Sequence, residues 1–127
     1  MKRFLTSRLK SFQYAFAGIA HIMKSQPNSR IHLTATIAVI ILGLWLGLSR
    51  IEWVLLVLTI GFVWAAESVN TALEALVDLV SPHHHPLAKV AKDVGAAGVL
   101  ILATMSVAVG LILLGPPLWT RVLSWFQ

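Results

Sequence analysis

Residues 94–114 read VGAAGVLILATMSVAVGLILL, 21 positions without a charged side chain. Few environments accept such a run. A bilayer core about 30 Å thick takes roughly 20 helical residues to cross. No water reaches the backbone there, so each peptide group must be paired within its own segment, which selects the helix. Residues 31–48, IHLTATIAVIILGLWLGL, supply a second run, and 53–80 a third that is apolar first and acid-bearing later. The chain is 57% hydrophobic and 12% charged, against about a quarter charged in soluble domains. A water-soluble enzyme is excluded on that ground.

The breaks between runs are polar. Ser49-Arg50-Ile51-Glu52 makes a tight turn, and Glu52 beside Arg50 reads as a solvated pair. Ser81-Pro82-His83-His84-His85-Pro86 separates the second run from the third, because each proline disfavours helix at the residue before it. Gly115-Pro116-Pro117 is expected to stop the third. Before the first run, Phe4, Leu5, Leu9, Phe12, Phe16, Ile19 and Met23 recur at steps of three and four, with Lys2, Arg3, Arg8 and Lys10 near the start. That pattern predicts a helix lying on the membrane surface. The fold expected is an all-α membrane protein of one domain, 1–127. Its parts are an interfacial helix over 1–25 and transmembrane helices over 31–48, 53–80 and 88–114.

Lysine and arginine set the orientation. Lys2, Arg3, Arg8, Lys10, Lys24 and Arg30 precede the first span, and Lys89 and Lys92 follow the second. Only Arg50 and Arg121 lie on the other side, so the N-terminus and the histidine loop are expected in the cytoplasm, with the protein in the plasma membrane. The net charge of +5 then serves lipid headgroups and topology, not nucleic acid. No apolar segment of the usual length precedes Ser25, so no cleavable signal peptide is expected. There is no cysteine and no disulfide framework. Trp45, Trp53, Trp119 and Trp125 fall toward the outer interface, as an aromatic belt does. Trp64 falls deeper, and His32, at the start of the first span, reads as packing. No role is read for the tail from Trp119 to Gln127.

The acids in 66–79, AESVNTALEALVDL, follow an uncharged stretch of 14 residues. At about 100° per residue, Glu67, Asn70, Glu74 and Asp78 fall within an arc of about 80°. A carboxylate in a membrane helix costs at least about 2.5 kcal/mol on insertion scales, and carboxylates on one stripe repel. Lys92 is the nearest base, and Asp93 beside it adds a further acid. Two readings answer this. A divalent cation with phosphates can neutralise the stripe, since Mg²⁺ prefers oxygen ligands. Alternatively the stripe glues helices in an oligomer.

ESVNTALEALVD closely resembles the signature of the small prokaryotic diacylglycerol kinases, which include the undecaprenol kinases of Gram-positive bacteria. SPHHHPLAKVAKDVGAAGVL and NSRIHLTATIAVIILGLWLGLSRIEW resemble neighbouring parts of the same family. The resemblance implies a homotrimer of three-span subunits with active sites shared near the cytoplasmic interface. It implies transfer of the γ-phosphoryl group of MgATP to a lipid hydroxyl, on diacylglycerol or undecaprenol, without a Walker A loop or protein-kinase motif. On this resemblance Glu67 is the general base, Glu74 a Mg²⁺ ligand and Asn70 a polar support. Tyr14, His83, His84, His85, Lys92 and Asp93 contact nucleotide, and Ala96 lines the lipid path. One position departs. The family carries a glutamate as second metal ligand where this chain has Gln26, which offers an oxygen but no charge. Asp78 and the histidines are candidates to compensate. Two further readings remain open from the residues: a small proton or cation carrier, and a structural subunit.

Overall fold

The structure, a computed structural model, describes residues 2–125, with side chains from Thr6 onward. Phe4, Leu5, Lys2 and Arg3, which the surface-helix reading used, have side chains outside the described residues. Four helices follow in order: α1 (Lys2–Ser25), α2 (Pro27–Leu46), α3 (Arg50–Val80) and α4 (Pro86–Leu123). Helices α2, α3 and α4 are each long and apolar enough to cross a membrane. On α1, Leu9, Phe12, Phe16 and Ile19 are exposed, while Ile22 near its end is buried. A helix with its apolar side chains turned away from the protein suits a bilayer surface.

The α1–α2 joint is set by sequence. Gln26 precedes Pro27, and the proline forces it into extended backbone, φ −106° and ψ 113°. Pro27 then opens α2 at a position where its missing N–H costs nothing. Ser29 is fully buried and its hydroxyl reaches the carbonyls of Gln26 at 2.6 Å and Ile22 at 3.2 Å. This ties the end of α1 to the start of α2 and fixes where Gln26 points.

The α2–α3 turn is tighter. Gly47 sits in the left-handed region, φ 72°, which favours glycine, and its N–H returns to the Gly43 carbonyl at 3.1 Å. Ser49 caps α3: the Glu52 backbone N–H donates to its hydroxyl, and the Ser49 N–H donates to the Glu52 carboxylate at 2.7 Å. Glu52 therefore belongs to a capping box with Ser49, not to a pair with Arg50. Near this outer end Leu56, Leu113 and Leu114 form the buried core, flanked by Val39, Leu42, Trp53 and Val109. Helices α3 and α4 make the most extensive contact in the fold. In lipid, such contacts hold by close packing, since the tails are as apolar as leucine.

Helix α4 does not end at Gly115-Pro116-Pro117. It carries both prolines internally and continues to Leu123. Each proline leaves the carbonyl four residues earlier without its usual donor, a loss that local sequence reads as a stop. The continuation is held by packing instead. Arg121 lies 5.6 Å over the Trp45 ring, and Trp125 meets Trp45 edge-on at 6.1 Å. The tail thus covers the end of α2. The spans also extend beyond the expected bounds: α2 begins four residues earlier than position 31 and α3 three earlier than 53.

Ser49→Ala removes the α3 cap and is expected to lower stability by about 1 kcal/mol, read as a lower unfolding midpoint in a denaturing-detergent titration. An unchanged midpoint would mean that the cap is redundant with the Gly47 turn.

Candidate active site

The polar residues of α3 do not share one environment. Glu67 is 1% exposed, Asn70 7%, Glu74 half-buried and Asp78 exposed. The stripe therefore runs from a buried end to an open one. At 1.5 Å per residue, Glu67 and Glu74 stand about 10 Å apart along the axis, and Asp78 about 6 Å further.

A cavity of about 270 Å³ lies at the buried end, lined among others by Gln26, His32, Glu67, Asn70, Glu74 and Ala96. It joins α2, α3 and α4. Glu74 is its best-held group. Gln26 Nε2 donates to Glu74 Oε2 at 2.7 Å, and Asn70 Nδ2 donates to Oε1 at 3.0 Å. A carboxylate accepts on both oxygens, so each amide is obliged to present its NH₂ rather than its oxygen. The two amides orient Glu74 without neutralising it. Lone pairs remain on both carboxylate oxygens. Among the described residues no three acidic, histidine or cysteine side chains cluster to hold a metal unaided. A divalent ion at Glu74 fits only if phosphate oxygens and water complete its shell, which is how Mg²⁺ is ordinarily held beside a nucleotide.

Glu67 contrasts with Glu74. It makes no ion pair and its carboxylate has no hydrogen-bond partner among the described residues; only its backbone carbonyl is engaged, by the Thr71 hydroxyl at 2.8 Å. An ionisable group buried in a membrane helix without a partner marks a functional position by default.

A second cavity, about 300 Å³, adjoins at the open end and is lined by Asp78, His83, His84, His85, Lys89, Lys92 and Asp93, among others. Lys92 Nζ meets Asp78 at 2.7 Å and Lys89 pairs with Asp93. Lys92 therefore answers Asp78 first, with the Glu74 charge a weaker and more distant attraction. Both members of that pair are substantially exposed, so it contributes little stability, about 0–1 kcal/mol. Asp78 as a substitute for the missing carboxylate at position 26 is corrected by this arrangement: it lies in the other cavity, engaged by a lysine. His85 has a local duty, since its Nδ1 accepts the Leu87 backbone N–H at 3.2 Å and caps α4. His83 and His84 are exposed on the loop.

Tyr14 is 73% exposed and stands apart from both cavities, beside Lys10 and Ser11 on α1. His32, read from sequence as packing, lines the buried cavity and has a buried Nε2 without a partner. Its ring meets Trp64 edge-on at 6.4 Å, and the Trp64 indole N–H donates to Thr36 at 3.2 Å. His32 also borders a smaller apolar cavity of about 80 Å³, lined by residues including Val39, Leu56 and Val63. It stands between the cavity with the carboxylates and this smaller one. One signal in the sequence, a histidine one turn into a membrane span, could have marked it.

The structure thus sets a buried and a half-buried carboxylate on an apolar helix long enough to cross a membrane, with a second cavity of paired lysines, aspartates and histidines beyond them. The chain belongs to the prokaryotic diacylglycerol kinase family, whose pattern matches residues 13–114. It is 42% identical over 109 residues to the undecaprenol kinase of Bacillus subtilis, covering 86% of this chain and 89% of that one. It is 46% identical over 111 residues to a diacylglycerol kinase of Synechocystis, covering 87% of this chain and 63% of that longer relative. The diacylglycerol kinase of Escherichia coli is 31% identical over 109 residues, 86% of this chain and 89% of its own. The protein is accordingly a multi-pass membrane lipid kinase.

An unpartnered buried carboxylate weakens the resting fold. Glu67→Gln removes an uncompensated charge and is expected to stabilise the nucleotide-free protein in nanodiscs, seen as a higher thermal midpoint. A lower or unchanged midpoint would show that the carboxylate is satisfied at rest.

Proposed function

We propose that this lipid kinase transfers the γ-phosphoryl group of ATP to the hydroxyl of a membrane lipid alcohol, diacylglycerol or undecaprenol, yielding phosphatidic acid or undecaprenyl phosphate. The reading is carried by Glu67, a buried carboxylate with no partner of its own, lining a cavity on a helix apolar enough to cross a membrane. A lipid hydroxyl brought laterally to this depth donates its hydrogen to Glu67. The hydroxyl oxygen attacks the γ-phosphorus, the proton passes to Glu67 as the new P–O bond forms, and ADP carries away the electrons of the broken bond. Phosphoryl transfer asks little covalent work of the protein, so positioning and charge neutralisation carry it.

Nucleotide enters from the open end in this scheme. Lys92 is released from Asp78 to the phosphates, with Asp93 and the His83-His84-His85 loop beside it and Tyr14 contacting nucleotide from α1. Glu74, held by Gln26 and Asn70, is the protein ligand for Mg²⁺, and the ion when bound supplies neutralisation of the phosphate oxygens. Asn70 and Ala96 border the lipid. The excess of lysine and arginine at this end supports a cytoplasmic mouth. The homotrimer and the sharing of sites between subunits belong to the same proposal, on the strength of the family resemblance.

With labelled ATP in lipid vesicles, Glu67→Gln is expected to lower formation of phosphorylated lipid at least about 100-fold while MgATP binding persists. Wild-type rates would remove Glu67 as base. Gln26→Glu replaces an amide donor with a second carboxylate beside Glu74. It is expected to lower the Mg²⁺ needed for half-maximal rate by about tenfold, roughly 1.4 kcal/mol of metal binding. A Mg²⁺ requirement that rises or stays constant would take position 26 out of the metal's surroundings. Competing diacylglycerol with undecaprenol in one vesicle preparation decides the lipid.

A further inference from the structure

Asn70 presents a second unsatisfied atom. Its Nδ2 is committed to Glu74, which turns Oδ1 the other way, where the atom is buried without a hydrogen-bond partner. It points at α4, at Gly95. A Cβ built on Gly95 would stand 2.4 Å from Asn70 Oδ1 and 2.9 Å from Leu73 Cδ2. No side chain fits there without displacing the amide. A glycine α-hydrogen occupies that direction instead, and Cα–H is a weak but real donor to a carbonyl oxygen. The amide thus lies between two helices, its nitrogen on Glu74 of α3 and its oxygen against the backbone of α4.

We infer that Gly95 is a positioning residue for the phosphoryl-transfer site: its missing side chain lets the Asn70 amide sit edge-on to α4 and so holds the Glu74 carboxylate in place. The inference rests on the role proposed for Glu74. Amide and carboxylate leave little freedom once the oxygen is seated. A flipped Asn70 would set oxygen against oxygen at Glu74, and a retracted one would lose the 3.0 Å bond. Gly95 also differs from its neighbour Gly98, one turn further along the same helix. A Cβ on Gly98 meets nothing within 4 Å. Both substitutions to alanine bring the same gain in helix propensity, so the pair isolates the contact.

The test uses full-length protein in lipid nanodiscs and two readouts: lipid phosphorylation with labelled ATP, and MgATP binding by calorimetry. Gly95→Ala is expected to weaken MgATP binding and to lower kcat/KM for MgATP by one to two orders of magnitude, as misplacement of a catalytic group by about 1 Å does. Gly98→Ala is expected to leave both readouts within about twofold of wild type. In an Asn70→Ala background, Gly95→Ala should add only the small loss that its contact with Leu73 brings, because the amide it displaces is gone. Equal losses at 95 and 98, or a full additional loss in the Asn70→Ala background, would overturn the inference and leave Gly95 as a helix-packing residue. Wild-type protein that fails to phosphorylate lipid at all would overturn the proposed function instead, and the calorimetry alone would then decide whether Gly95 shapes a nucleotide site.

Discussion

Carboxylates carried on a membrane-crossing helix are the constraint around which this protein is arranged. Helix α3 has 31 residues, about 46 Å at 1.5 Å per residue, against a hydrocarbon core of about 30 Å. The excess length lets one helix serve two media. Its outer half packs Leu56 against Leu113 and Leu114 of α4, and nothing there needs water. Glu67 begins about 26 Å along the axis, where hydrocarbon gives way to the interface. Each later polar residue lies one turn nearer to water and is correspondingly more exposed, through Asn70 and Glu74 to Asp78. Position along a single helix thus sorts the acids into distinct environments, with Glu67 the most buried.

The treatment of Glu74 shows how the fold keeps a charge without cancelling it. A lysine partner would neutralise the carboxylate and compete with a metal. Two amide donors supply about the right geometry and leave the charge available. The one lysine within reach of the stripe is diverted to Asp78 at 2.7 Å. Gln26 can reach Glu74 only because Pro27 extends the backbone before it and Ser29 staples the α1–α2 joint. A surface helix and a buried carboxylate are therefore mechanically linked.

Much of this was legible in the sequence, and the missing parts share a cause. Uncharged runs and a 100° step place three spans and one polar stripe, because both depend on residues close in the chain. The Gln26–Glu74 bond joins positions 48 residues apart, and the Lys92–Asp78 pair spans two helices. Neither leaves a periodic trace. The same holds for Pro116 and Pro117. They break a helix by local rules and fail to do so here because Arg121 and Trp125 find Trp45 on another helix. His32 leaves no trace for the opposite reason: an isolated histidine has no pattern, and its packing on Trp64 and its place between two cavities appear only in the fold.

The two unpartnered buried atoms, His32 Nε2 and Asn70 Oδ1, lie on the same cavity, and their fates differ for a physical reason. Asn70 Oδ1 faces α4 backbone across a glycine, a surface that cannot move away and can offer only a weak C–H donor. His32 Nε2 stands at the boundary between the cavity with the carboxylates and the apolar one beneath Val39 and Val63. Leaving a buried imidazole nitrogen unsatisfied costs about 1–3 kcal/mol, and a hydroxyl arriving there removes that cost. The first orphan is thus closed off by the resting architecture, and the second stands on the border of two cavities.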